Sequence, residues 1–209
     1  MADWATISAL ATAGGTLVLA TATFAAVRSS NRSARIAEQS LLEGLRPLLV
    51  PSRLEDPAQK VGFADGNRFS VGGSAGAAEV VDSVVYLVMS LRNVGSGIAV
   101  LHGWRFLPEF TRAGEPPPLE LFTRLTRDIY IAPGDIGFWQ GSFRDPSTAE
   151  YAEAKAAIKA RQACIVEVLY GDYQGGQRVI SRFGLSPVGD DRWLVAVGQH
   201  WNIDREAPR

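Results

Sequence analysis

From Asp3 to Arg28 the chain carries no charged side chain other than these two end residues. As an α-helix this run would be about 36 Å long, which exceeds the roughly 30 Å of hydrocarbon in a bilayer. Alanine, threonine and glycine outnumber the large apolar residues, which weakens the apolar character of the run. The lack of charge matters more, because one central charge costs about 3 kcal/mol on insertion. The run therefore predicts a transmembrane helix within residues 1–28.

The order of charges around this run separates a membrane span from a secretion signal. Asp3 precedes the run, and Arg28, Arg32 and Arg35 follow it. Secretion signals carry positive charge before the apolar segment, whereas positive residues after a span stay in the cytoplasm. The sequence therefore predicts a single-pass protein of the cell inner (plasma) membrane, with its N-terminus outside and its C-terminal domain cytoplasmic. The small residues 20–22 offer a possible cleavage site, so an exported protein remains the alternative.

Two groups of residues in this segment predict contacts within the lipid bilayer. Trp4 fits the aromatic belt at the outer membrane interface. Small residues recur at helical spacing and form one face on which two helices can approach closely, giving a possible homo-oligomer. This face consists of Ser8, Thr12, Gly15, Thr16 and Ala20. The alternative is that a run rich in small residues contains such a stripe by chance.

Residues 29–45 predict a helical stalk that continues from the span. Arg28, Arg32 and Arg35 share one helical face, which suits contact with anionic lipid head groups. A second, apolar stripe on the stalk predicts either packing on the following domain or a short coiled coil. Gly44 is placed to end the helix, and Pro47 prevents its continuation.

From residue 46 the pattern changes to short runs with the period of β-strands. Residues 80–94 form the strongest such run, and Asp65-Gly66 predicts a hairpin turn. Residues 72–78 are interpreted as a flexible glycine loop. Several strands with regular turns predict an antiparallel β-sandwich over residues 46–201.

One soluble helix is predicted inside this domain, at about 147–161. Ser147 is placed as its N-cap, with Glu150 three residues later. The fold class is therefore mainly β, with an N-terminal transmembrane helix, a helical stalk and one inserted α-helix. Residues 202–209 are interpreted as a flexible tail.

Three segments (residues 85–99, 131–143 and 166–183) carry a shared pattern of turns. The first contains Asn-x-Gly after a strand, the second a Pro-Gly-acidic turn and the third an Asp-x-x-Gly hairpin. In this order they resemble the adhesion-type immunoglobulin-like modules common in bacteria, and the whole layout resembles single-pass bacterial membrane proteins. The resemblance implies an immunoglobulin-like sandwich and a topology, but no activity. The inserted helix departs from it, as does a cytosolic location, since such modules are usually exported.

The sequence contains no motif that indicates catalysis or cofactor binding. The chain has two histidines and one cysteine, too few for a metal site of ordinary spacing. The net charge of −1 gives no basic excess that would favour nucleic acid. Cys164 lies in an apolar run and predicts a buried thiol. We therefore predict no cofactor and no enzymatic activity, although an enzyme with a scattered site remains a weaker alternative.

Trp201 is predicted to be the most exposed tryptophan of the domain, because it lies near the C-terminal end. Trp201 and Asn202 are therefore candidate contacts for an unknown protein partner, and the 147–161 helix is a second candidate surface. The function predicted from the sequence is a membrane-tethered cytosolic β-sandwich that acts as a binding or scaffolding module.

Overall fold

The computed structural model describes residues 3–111 and 114–204. The chain divides into two compact units, and the boundary lies between Glu43 and Gly44. The first unit is helical, and the second contains all of the described strands. The two units are described separately below.

The first unit is a single uninterrupted helix, α1, which spans Trp4–Gly44. The predicted span and the predicted stalk are thus parts of one helix of 41 residues. It ends at a glycine shortly before Pro47, whose ring and missing N–H are incompatible with a helix interior. A long apolar N-terminal helix was expected from the sequence, and the structure confirms it.

Within the described residues, the second unit contains eleven strands and one further α-helix. The strands are β1 (Leu49–Pro51), β2 (Gln59–Gly62), β3 (Arg68–Val71), β4 (Ala75–Val81), β5 (Val84–Asn93), β6 (Ala99–Leu107), β7 (Thr123–Ile131), β8 (Ile136–Phe143), β9 (Cys164–Gly171), β10 (Val179–Val188) and β11 (Arg192–Asn202). Helix α2 spans Ala149–Lys159, and a short 3₁₀ turn spans Leu119–Leu121.

The described strand pairs are antiparallel, and nine strands form one sheet. Its order is β8-β5-β4-β11-β10-β9-β6-β7, with β1 also paired to β5, while β2 and β3 form a separate hairpin. The sheet curls over its own core, so that its end strands β7 and β8 approach each other without pairing. The mainly-β fold with an N-terminal helix is therefore confirmed. The more specific immunoglobulin-like assignment stays a prediction.

Two tryptophans pack against each other at the centre of the core. Trp104 on β6 and Trp139 on β8 have ring centroids 5.3 Å apart. They meet edge to face, which is one of the two arrangements that aromatic pairs prefer. The buried side of α2 joins the same core through Tyr151, Ala154 and Ile158. The helix thus closes one side of the curled sheet.

The β2–β3 hairpin covers the opposite face of β5. Its Val61, Phe63 and Val71 pack on Tyr86 and Val88. This second small core explains why β5 is apolar on both faces. Full burial of one such apolar side chain stabilises the folded state by about 1.5–3 kcal/mol relative to leaving that side chain exposed.

Two turns differ from the sequence-based interpretation. Residues 75–78 belong to strand β4 rather than to a glycine loop, and the two-residue turn Asp82-Ser83 joins β4 to β5. Both turn residues have positive φ, 47° for Asp82 and 64° for Ser83. A type I′ hairpin requires this conformation, which aspartate tolerates better than most residues, and the missing glycine hid the turn in the sequence. The hairpin predicted at Asp65-Gly66 is present, but its loop covers the three residues 64–66 and not two residues.

Helix α2 begins one residue later than predicted. Thr148, not Ser147, is its N-cap, and the Thr148 hydroxyl accepts a hydrogen bond from the Tyr151 N–H at 3.3 Å. Ser147 instead donates to Asp145 at 2.6 Å. Because Asp145 holds Ser147 in the preceding turn, the capping position passes to the next hydroxyl.

Candidate functional site

The uncharged part of α1 presents its large apolar side chains outward. Trp4 is 80% exposed, and Leu10, Leu17, Leu19 and Phe24 are exposed to a similar degree. A continuous apolar surface of this kind is unfavourable in water and marks a contact with lipid or protein. The helix is long and apolar enough to cross a membrane, a criterion that an N-terminal signal sequence also meets.

Hydroxyl groups in the uncharged part of α1 bond to carbonyls of the helix itself. Ser8 donates to the Ala5 carbonyl at 3.0 Å, Thr12 to the Ser8 carbonyl at 2.9 Å and Thr16 to the Thr12 carbonyl at 2.8 Å. Thr21 and Thr23 form the same kind of bond. An unpaired hydroxyl in hydrocarbon is costly, so these local bonds make a threonine-rich helix compatible with lipid.

The small-residue face predicted from the sequence is sterically open. A side-chain carbon built on Gly14 or Gly15 would have no neighbour within 4 Å. Ser8, Thr12 and Thr16 turn their hydroxyl groups back to the helix, which leaves their carbon atoms outermost. Another helix can therefore approach this face closely, as self-association requires.

The three arginines after the uncharged run lie along one groove. Arg28, Arg32 and Arg35 border it together with Phe24, Val27 and Asn31, and its volume is 520 Å³. The arginine face predicted from the sequence is thus present on the helix surface, and apolar side chains adjoin it. This pairing of charge and apolar surface matches the boundary between head groups and acyl chains.

The expected exposure of Trp201 is wrong, since this side chain is only 4% exposed. Strand β11 continues to Asn202, paired with β10 along its whole length, so the chain end is not free at this point. The Arg182 guanidinium stacks over the Trp201 ring at 5.3 Å, and the indole N–H donates to the Gly114 carbonyl at 3.4 Å. Asn202 is half-buried and accepts a hydrogen bond from Arg46. Trp201 is therefore not the exposed tryptophan that the sequence predicted, and a partner contact through Asn202 stays a prediction.

Only part of the predicted flexible tail is described. Asp204 accepts hydrogen bonds from Arg178, including one from the backbone N–H at 2.7 Å. This ion pair lowers the pKa of Asp204. Residues 205–209 lie outside the described part of the chain.

A buried chain of hydroxyl and imidazole groups links four strands. Tyr170 and Ser181 share a hydrogen bond at 2.8 Å, and Ser181 Oγ lies 2.6 Å from His200 Nδ1. The Leu49 N–H donates to the Tyr170 hydroxyl at 3.0 Å. Burial raises the pKa of Tyr170 to about 12 and, together with Arg46, lowers that of His200. Because Ser181 is fully buried, we interpret this serine–histidine pair as a structural link.

The second histidine is not part of this network. His102 lies on β6, and strands β9 and β10 separate it from His200 on β11. Burial is the main cause that lowers the pKa of His102, and Arg178 and Arg124 add to it. The fold thus keeps the two histidines apart.

Glu167 is a fully buried carboxylate on the outer face of β9. Two arginines from the neighbouring strands compensate its charge: Arg182 Nε donates at 2.9 Å, and Arg105 lies at 3.5 Å. The three residues occupy one row across β6, β9 and β10. Removing one member of such a cluster leaves an uncompensated buried charge, so we interpret the row as structural.

Cys164 is fully buried, and burial raises its pKa to about 12. The thiol is therefore unreactive at neutral pH, since the thiolate is the nucleophile. Within residues 3–111 and 114–204, no group of three or more His, Cys, Asp or Glu side chains is arranged to hold a metal ion.

One arrangement was not found by sequence reasoning. A cavity of 360 Å³, here called the seam cavity, lies where β7 and β8 face each other without pairing. It brings together Arg124 and Arg127 from β7, Arg144 after β8, and Gln140 within β8. Nothing in the sequence indicates that the ends of the sheet meet, so no signal was available for this site.

Comparison with protein-family models, curated proteins and solved structures finds no match to this chain.

Proposed function

We propose that this protein is anchored in the plasma membrane by α1 and that its β domain works in the cytoplasm as a binding or scaffolding module. The observation that carries this proposal is a helix with an uncharged, exposed apolar run, followed by three arginines on one groove. A bilayer covers such a run, and positive residues remain on the cytoplasmic side.

The mechanism is physical rather than catalytic. The span restricts the protein to the bilayer, and each arginine near an anionic surface contributes about 1 kcal/mol of attraction. The open face around Gly15 lets two spans pair, which would present two β domains together. Surfaces of the β domain, including the exposed side of α2, then bind a protein partner.

Fusions at the C-terminus test the orientation. A fluorescent protein that folds only in the cytoplasm should give signal, and a phosphatase that is active only outside should not. Moving the charges provides the matched control: Arg28→Ser, Arg32→Ser and Arg35→Ser combined with Asp3→Arg should invert the two signals. Phosphatase activity in the unaltered protein would refute the cytoplasmic placement.

The intact mass of the membrane-extracted protein tests the export alternative. We expect the full-length mass. A mass that lacks residues 1–22 would show cleavage after the small residues 20–22 and would make the protein an exported β domain. Ala22→Leu should block such cleavage, and it leaves an uncleaved span unchanged.

Nanodiscs of different charge test the arginine groove. Backbone amides of residues 29–35 should exchange hydrogen more slowly in phosphatidylglycerol discs than in phosphatidylcholine discs. Replacing Arg28, Arg32 and Arg35 by Gln should remove the difference. Equal exchange of the unaltered protein in both lipids would exclude a head-group role for these arginines.

Energy transfer between labelled copies in vesicles tests pairing of the spans. Gly15→Leu places a bulky side chain on the open face and should reduce the dimer fraction at equal density. Leu17→Ile, a change of shape at a different position, is the control. If Gly15→Leu leaves the association unchanged, the helices do not pair through this face.

A further inference from the structure

We propose that the seam cavity binds a small organic anion, which places its acidic group at the arginines and its apolar body against aromatic side chains. The inference supplies a ligand for the proposed binding function and rests on it only to that extent, because nothing in the cavity depends on which side of a membrane the domain faces.

The lining of the seam cavity is positively charged. Three arginines, Arg124, Arg127 and Arg144, line the cavity, and no acidic side chain is among the described residues that line it. Arg144 is already paired with Asp65 at 2.6 Å, which leaves excess positive charge on the β7 side. Guanidinium groups bind carboxylate and phosphate through paired N–H donors, and here they converge from two strand edges on one space.

The seam cavity also contains a buried amide oxygen without a hydrogen-bond partner among the described residues. Gln140 lines the cavity and is only 6% exposed, and its Oε1 atom is buried without a partner among the described residues. Buried polar groups in native proteins almost always have a partner. The oxygen and nitrogen of an amide are assigned from its neighbours, so Gln140 can turn either its N–H donors or its oxygen toward a ligand. Its position beside the arginines suits a second contact to an anionic group.

The seam cavity results from the topology of the sheet. Strands β7 and β8 are the two ends of the curled sheet, and neither has a second full-length partner in the described part of the domain. Residues 125–128 of β7 also bow out of register with β6 and pair with none of its residues. The cavity is therefore present because β7 and β8 do not pair and the sheet does not close.

The walls of this space are fixed by packing. A side-chain carbon on Gly141 would lie 2.7 Å from the Trp139 ring and 3.1 Å from the Trp104 ring, so only glycine fits at this point. Arg127 is steadied by the Phe138 ring, 5.5 Å from its guanidinium carbon. Preformed walls lower the ordering cost of binding.

Size and lining define the class of ligand. The volume of 360 Å³ lies at the lower end of the range of about 300–1,000 Å³ for small-molecule sites. Phe63 and Trp104 supply apolar surface next to the arginines. A carboxylate or phosphate monoester with a single ring or a short aliphatic body matches both the charge and the volume.

Calorimetric titration of the full chain in a non-ionic detergent tests the proposal. The probes are benzoate and phenyl phosphate, with benzamide as the uncharged analogue and acetate as the analogue without a ring. We expect phenyl phosphate and benzoate to bind at least about tenfold more tightly than either analogue, since both the charge and the ring contribute. No heat from either charged probe up to about 10 mM, or equal binding of benzamide, would overturn the proposal.

Substitutions locate the binding. Arg124→Gln and Arg127→Gln should each weaken phenyl phosphate about tenfold or more, and Gln140→Met should weaken it by a smaller factor. Arg192→Gln, which changes an exposed arginine far along the sheet, is the control and should bind like the unaltered protein. Equal binding by all four variants would place the probe elsewhere and refute the site.

Failure of the anion site and failure of the proposed function give different experimental results. The C-terminal fusions report the topology whether or not the probes bind. Probe binding with an outward-facing domain would sustain the anion site and refute the cytoplasmic module. If the fusions report a cytoplasmic domain but the probes do not bind, the cytoplasmic module is supported and the anion site is refuted.

Discussion

Helix α1 and the β domain satisfy their polar side chains in opposite ways. In the apolar part of α1, hydroxyl groups bond to a carbonyl three or four residues earlier, as Thr16 does to Thr12. In the β domain, partners come from far along the chain: Ser52 bonds Ser90, and Tyr170 accepts from Leu49. The helix is therefore self-sufficient, whereas the domain depends on every strand being in place.

Asn93 shows this dependence most clearly. It is fully buried, accepts from the N–H groups of Leu48 and Gly95, and donates to the carbonyls of Gly97 and Ile131. One side chain thus joins the start of β1, the turn after β5 and the end of β7. Loss of such a residue leaves several backbone groups without partners, whereas a substituted threonine of α1 affects only its own helix.

The largest effect should come from Asn93→Ala. We expect the free energy of unfolding to fall by about 3–5 kcal/mol, because buried hydrogen bonds are lost and their partners stay buried. Denaturant unfolding followed by tryptophan fluorescence measures it. Ser70→Ala, at an exposed position of β3, is the control. It should change the stability by about 0.5 kcal/mol at most. A small loss for Asn93→Ala would mean that water replaces its contacts.

Gly97→Ala should have the next largest effect. Its new carbon atom would lie 1.7 Å from the Leu45 carbonyl oxygen. The backbone must therefore move, at a cost of about 2–3 kcal/mol. Gly62→Ala has no neighbour within 4 Å and should be close to neutral. The same unfolding experiment compares the two, and similar losses would show that glycine flexibility rather than close approach sets the cost.

Acidification should weaken the domain but leave α1 helical. Burial lowers the pKa of His200 and His102 below the ordinary 6.5. The unfolded chain therefore takes up protons first as the pH falls. The stabilising contribution of the neutral histidines is complete above about pH 7.5 and declines as the pH falls through 6.5, before the carboxylates titrate. His200→Gln should flatten the decline between about pH 7.5 and about pH 5.5 in denaturant unfolding. An unchanged slope in the variant would exclude His200 as a cause.

The smallest effect should come from Thr16→Val in α1. The hydroxyl bonds only to its own helix, and the two side chains have nearly the same shape. The change in helix stability should therefore stay below about 0.5 kcal/mol. Circular dichroism in micelles measures helicity, and Thr23→Val, which removes the same kind of bond, gives a comparison in the same run. A large loss of helicity would show that the hydrogen bond from Thr16 to the Thr12 carbonyl stabilises the helix itself.

The contrast also explains which features the sequence revealed. The uncharged run, the three arginines and Pro47 all lie on one continuous segment of the chain, so the extent of α1 was predictable almost to its last residue. The Asp82-Ser83 turn was missed because its residues adopt positive φ without glycine. The cap of α2 was misplaced by one residue, because Asp145 competes for Ser147.

The sites follow the same rule. The arginine groove of α1 was visible as spacing, since one helix carries all its members. Trp201 was misjudged, because its cover comes from Arg182 and Gly114, which are distant in sequence. The seam cavity was invisible for a similar reason: Arg124 and Gln140 meet only because β7 and β8 are the two ends of one curled sheet.

The unpaired edges of β7 and β8 also favour aggregation with other sheet edges, whether or not a ligand binds. A sheet with two unpaired ends offers its backbone to the edge of another molecule, and tethering on one bilayer would bring such edges together at high surface density. Like charges on the β7 edge, at Arg124 and Arg127, repel a second copy of the same edge. We therefore expect these arginines to oppose edge-to-edge polymerisation of the β domain, even when the cavity beside them is empty.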